Sequence, residues 1–157
     1  MSIKIGEVAP SFSANCDDGS VIDLSELRGK NVVLYFYPKD DTPGCTIEAQ
    51  DFTKNIEKFV SIDAVVLGVS RDSVASHCNF IQKHNLAFNL ISDEDGEICS
   101  KYEVIKEKSM FGKKYLGIDR STFIIDKKGN LIKFWQSVKV NGHIDEILSF
   151  LEELGNS

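Results

Sequence analysis

The apolar positions of this chain fall into short runs whose period alternates between that of a buried strand and that of an amphipathic helix. Residues 31–37, NVVLYFY, form a continuous apolar run rich in β-branched and aromatic side chains, the pattern of a strand buried on both faces of a sheet. Pro38 ends it. Beyond the turn residues 38–44, the stretch TIEAQDFTKNIEKFV places Ile47, Phe52, Ile56 and Phe59 near helical spacing, which predicts one helix from about Pro43 to Phe59. Residues 64–69, AVVLGV, read as a second buried strand. Asp72 or Ser73 then caps a helix running to about His84, with Val74, Cys78 and Ile81 on its apolar stripe. STFIID, KKGN and LIKFWQ predict an antiparallel hairpin, HIDEILSFLEEL at 143–154 a closing helix, and FSANC, DDGS and VIDL a small N-terminal β-hairpin. EDGEICSKY is a further helical patch. The alternation of strand and helix predicts an α/β fold, a central mixed β-sheet flanked by helices, in a single domain spanning residues 1–157.

Charge and cysteine usage narrow the partners. A formal charge of −6 and a pI near 5.1 disfavour nucleic acid and anionic membranes, both of which attract basic patches. The N-terminus lacks the apolar stretch of a signal peptide, and no run reaches the length of a membrane span, so a cytoplasmic protein is expected. Cysteines stand at 16, 45, 78 and 99 with no CxxC. That spacing argues against zinc and against a thioredoxin-type dithiol. His77 and His84 lie seven apart without a matched ligand set, so both are expected on the solvated side of their helix; His143 opens the last helix.

Cys45 carries the chemistry. In PKDDTPGCTIEA, a strand ending at a proline turn opens directly into a helix, and Cys45 falls in or near that helix's first turn. Unpaired N–H groups and the positive end of the helix dipole stabilise a thiolate there, the form that attacks. Thr42 is placed to hydrogen-bond the sulfur or an incoming oxygen. Pro38 and Pro43 fix the turn, and Gly44 permits close backbone approach.

The spacing Pro38-x-x-x-Thr42-x-x-Cys45 matches the active-site signature of the peroxiredoxins. YFYPKDDTPGCTIEAQDF resembles the bacterioferritin-comigratory, or Q-type, subfamily in particular. GEVAPSFSANCDDG, GIDRSTFIIDKKG and KVNGHIDEIL are similar to further segments of that family in the same order. The resemblance implies a thioredoxin-like fold and a peroxidase that reduces hydrogen peroxide and alkyl hydroperoxides through a sulfenic acid at Cys45, with no metal or organic cofactor. It also implies that Arg120, in GIDRSTFIID, donates to the reacting sulfur and peroxide. Glu48, three residues past Cys45, is placed to fix Arg120 by an ion pair.

Recycling is where the chain departs from the family pattern. Many Q-type members carry a resolving cysteine five positions after the catalytic one; here that position is Gln50. Others resolve from the next helix, at a position that aligns with Ile81. Cys78, about one turn earlier, is the candidate resolving residue, and an external thiol acting directly on Cys45 is the other route. Cys99 is expected to pack inertly, and Cys16 has no motif support. A thioredoxin-like protein or glutathione/glutaredoxin is the expected reductant, and the chain is expected to be a monomer. The non-catalytic alternative is a peroxide-sensing switch or chaperone that does not turn over efficiently.

Overall fold

A computed structural model of the protein describes residues 3–155, so the first and last two positions of the expected domain lie outside the described residues. The strands are β1 (Ser13–Asn15), β2 (Val21–Asp23), β3 (Asn31–Phe36), β4 (Ala64–Ser70), β5 (Asn89–Ser92), β6 (Ile105–Met110), β7 (Lys113–Ile118), β8 (Ser121–Ile125) and β9 (Leu131–Trp135). The helices are α1 (Pro43–Lys54), α2 (Ile56–Ser61), α3 (Val74–His84), α4 (Glu97–Lys101) and α5 (His143–Gly155).

β3, formed by the long apolar run, is buried throughout and sits at the centre of a five-stranded sheet in the order β5-β4-β3-β8-β9. It runs parallel to β4 and antiparallel to β8, which makes the sheet mixed as expected. The N-terminal hairpin β1–β2 also forms.

Because side chains alternate across a strand, β3 feeds two cores. Val32, Leu34 and Phe36 join Leu67, Val69, Phe123 and the N-terminal segment on one face. Val33, Tyr35 and Tyr37 meet Ala49 and Phe52 of α1, Phe59 of α2, Phe80 of α3 and the Ile144, Ile147, Leu148, Leu151 stripe of α5 on the other. Cys45 belongs to this second cluster, so the sheet end that carries it is walled by helices.

Three features differ from the periodicity reading. The helix expected over 43–59 is two helices, broken at Asn55 (φ −107°, ψ 10°), whose side-chain amide donates to the Asp51 carbonyl at 2.8 Å. That short amide competes with the helical ladder. The buried side of α3 is centred on His77 and Phe80 rather than on Val74 and Cys78. Finally, β5 and the hairpin β6–β7 have no counterpart among the expected elements. β5 is too short to show a period, and the hairpin, outside the main sheet, alternates charged residues with few apolar ones.

Candidate active site

β3 ends beneath a tight turn, and α1 starts at Thr42, an extended N-cap residue (φ −94°, ψ 156°) followed by Pro43. The fixed φ of proline suits the first helical position, where its missing N–H costs nothing. The first helical hydrogen bond runs from Thr46 N to Thr42 O at 2.8 Å, so Cys45 lies inside the first turn as expected. Its side chain is buried, 2% exposed, against the Tyr35 and Tyr37 end of the second core.

Arg120, just before β8, reaches this sulfur: Nη2 donates to Cys45 Sγ at 3.4 Å and Nη1 to Glu48 Oε1 at 2.6 Å. Glu48 is one turn along α1 from Cys45 and wholly buried. Gly44 makes room for the guanidinium, since a Cβ there would stand 3.2 Å from Nη2. Burial pushes the Glu48 carboxyl up to about 7 against the pull of Arg120, in keeping with Oε2, which has no hydrogen-bond partner. Burial also opposes the charge on Arg120, but Glu48 and Cys45 outweigh it and hold its pKa above the ordinary value.

Thr42 does not touch the sulfur by a hydrogen bond. Its hydroxyl donates to the Lys39 carbonyl at 2.8 Å, which leaves the oxygen lone pairs to accept from something else. Pro38 is exposed on the turn, whereas Asp40 two residues on is buried.

The histidine expectation is overturned. His77 is fully buried, with Nδ1 2.7 Å from Asp40 Oδ2 and Nε2 2.9 Å from the Ile91 carbonyl. His84 is largely covered, with Nε2 2.9 Å from Asp41 Oδ1 and Nδ1 3.5 Å from Gln50. Helical spacing offered this stripe too, because His77, Phe80 and His84 are three and four apart. Counting imidazole as polar selected the neighbouring one. His143 is also buried, 2.8 Å from Thr122 Oγ1, and burial holds its pKa below the ordinary value.

All four thiols are free. Cys78 is half-buried on the flank of α3 and accepts from Gln82 at 3.4 Å, whereas Ile81 packs against the cluster containing Cys45. Cys99 is wholly buried, and burial with Asp93 nearby pushes its thiol far up. Cys16 is buried against Asp18 (2.9 Å) and Ser20 (3.1 Å) of the DDGS turn, and burial raises its thiol as well.

A family model described as the AhpC/TSA family matches residues 5–134. The chain belongs to that family. Peroxiredoxin Bcp of Bacillus subtilis is 49% identical over 154 residues, covering 98% of this chain and 98% of the relative. A cysteine-to-serine variant of PrxQ from Xylella fastidiosa matches with a TM-score of 0.92 at 39% identity, covering 98% of both chains. The bacterioferritin comigratory protein of Xanthomonas campestris, in structures of a trapped intermediate and ligand complex bearing on its alkyl peroxide reduction, gives a TM-score of 0.88 at 44% identity over 92% of each chain. The Q-type resemblance and the thioredoxin-like fold expected from the sequence are borne out. As a peroxiredoxin, the chain is a peroxidase of the oxidoreductase class, taking a peroxide as substrate and a thiol as reductant. Among the described residues, no helix is long and apolar enough to cross a membrane.

Proposed function

We propose that this peroxiredoxin reduces hydrogen peroxide and alkyl hydroperoxides through Cys45. The observation that carries the reading is the fork of Arg120, which joins the Cys45 sulfur to buried Glu48 at the start of α1. The Cys45 thiolate attacks the terminal peroxide oxygen. An S–O bond forms, the O–O bond breaks, and the leaving hydroxide or alkoxide takes up a proton, leaving a sulfenic acid. Charge moves from sulfur to the leaving oxygen, and a planar cation beside the sulfur offers donors along that path. Thr42, with its proton committed to Lys39, accepts from the peroxide O–H and so aligns it. Pro38 and Pro43 hold the turn that keeps these groups together.

A thiol then displaces water from the sulfenic acid to give a disulfide. Cys78 is the internal candidate and an external thiol the other. Reduction by a thioredoxin-like protein or by glutathione/glutaredoxin completes the cycle, in a monomeric enzyme working in the cytoplasm. In a coupled peroxide assay, Cys45→Ser is expected to abolish turnover with the fold intact by circular dichroism. Arg120→Ala should slow the peroxide step by about 100-fold or more. Substantial turnover by the serine variant would remove Cys45 from the centre. Oxidation once, without turnover on added reductant, would favour the sensor reading instead.

A further inference from the structure

The loop between β3 and α1 is held from behind by α3, through a buried polar cluster that the peroxide chemistry above does not use. Asp40 Oδ1 accepts from the Tyr37 hydroxyl at 2.6 Å, and Oδ2 lies 2.7 Å from both Ser76 Oγ and His77 Nδ1. The Asp40 backbone N–H donates to Asp72 Oδ2 at 2.9 Å, and Asp72 is itself held by Ser70 at 2.6 Å. One residue on, Asp41 has a left-handed backbone (φ 58°) and its carboxylate meets Lys83 at 2.6 Å and His84 at 2.9 Å. Every one of these Asp40 and Asp41 side-chain links except the Tyr37 bond runs to α3, and the side chains of His77 and Asp40 are only 0% and 4% exposed.

The hydrogen bonds of the pair follow from its partners. The Ile91 carbonyl has no proton to give, so His77 Nε2 donates to it. Nδ1 shares one hydrogen with Asp40 Oδ2 at 2.7 Å, and that carboxyl group also accepts from two hydroxyls. Asp40, Asp72 and His77 bring ligand atoms within 4.8 Å of one another, but Asp40 Oδ2, Asp72 Oδ2 and His77 Nδ1 are each already engaged in hydrogen bonds within the cluster.

We propose that His77 is a positioning residue for the peroxide step: its buried hydrogen bond with Asp40 fixes the turn that presents Thr42 and Cys45 to the peroxide. It acts through Asp40 and touches no reacting atom. One residue separates Asp40 from the Thr42 N-cap, so a shift of the carboxylate is passed to the first turn of α1, where displacements near 1 Å cost about 100-fold in rate. This inference rests on the assignment of Cys45 as the attacking thiol.

Single-turnover rates of Cys45 oxidation by hydrogen peroxide, measured apart from the reductant step, test it. His77→Gln takes the ring away from the Asp40 carboxyl group, and Asp40→Asn takes the carboxyl group away from the ring. Each should slow oxidation about 100-fold with the reductant step unchanged, and the double variant, with neutral amides facing each other, should recover at least about tenfold over either single one. The milder Ser76→Ala should slow oxidation several-fold and keeps the test open where a core variant does not fold. Wild-type oxidation rates in the single variants, or a double variant no faster than the slower single one, would overturn the proposal. Retained turnover in Cys45→Ser would instead strike the underlying assignment.

Discussion

Glu48 has to stay ionised to hold Arg120, yet it has one oxygen paired, one without a partner, and no exposure. Its carboxyl is raised from an ordinary 4.5 to about 7. A folded-state value above the unfolded one means that the folded protein binds the extra proton more tightly. The stabilisation from this group is therefore full below about 4.5 and is lost as pH rises through about 7. A shift of that size corresponds to roughly 3 kcal/mol. Glu48→Gln cannot ionise, so its stability relative to the parent should rise by about that amount between pH 4.5 and pH 8. Urea unfolding at the two pH values measures it, and a constant difference would show Glu48 ionised in the folded state throughout. The residue-level signature was legible from the start: Pro38, Thr42 and Cys45 at fixed spacing, with Arg120 and Glu48 named beside them from the family resemblance and the helical spacing. What the sequence could not show was the second set of titratable groups behind the loop. Asp40 and His77 are 37 positions apart, and each alone reads as a surface residue.

At the scale of elements, recycling through Cys78 would have to bring α1 and α3 together. Bridged cysteines need Cα atoms within about 7 Å, and the face that α3 turns toward the core is centred on His77 and Phe80, with Cys78 on the flank. Forming a Cys45 to Cys78 disulfide therefore requires one helix to unwind locally or turn. After peroxide treatment, peptide mass mapping should show this intramolecular disulfide if Cys78 resolves, and Cys78→Ser should then accumulate sulfenic acid. A stable sulfenate in the unmodified protein would favour direct reaction with an external thiol. The elements that sequence periodicity found, β3, β4, β8, β9 and α5, are those with long or regular apolar patterns. β5 escaped because two buried residues, Leu90 and Ile91, define no period. The β6–β7 hairpin escaped because its residues are mostly exposed and lysine-rich.

For the molecule as a whole, the parallel and antiparallel pairings of β3 place the start of α1 and the arginine before β8 at the same end of the sheet, although Cys45 and Arg120 are 75 positions apart. Strand and helix alternation predicted this class of architecture, but the convergence itself depends on strand order, which no local window contains. The interruption at Asn55, first met as a departure from a single long helix, has its own consequence for how the protein opens. It divides residues 43–61 into two short segments, whose buried aromatics Phe52 and Phe59 meet with ring centroids 5.7 Å apart. A helix that stops there transmits less of an unwinding at its N-terminus, so opening around Cys45 is expected to end at Asn55 and leave α2 closed. Hydrogen exchange should resolve the boundary: amides of α1 exchange faster in the oxidised protein than in the reduced one, and those of α2 at the same rate in both.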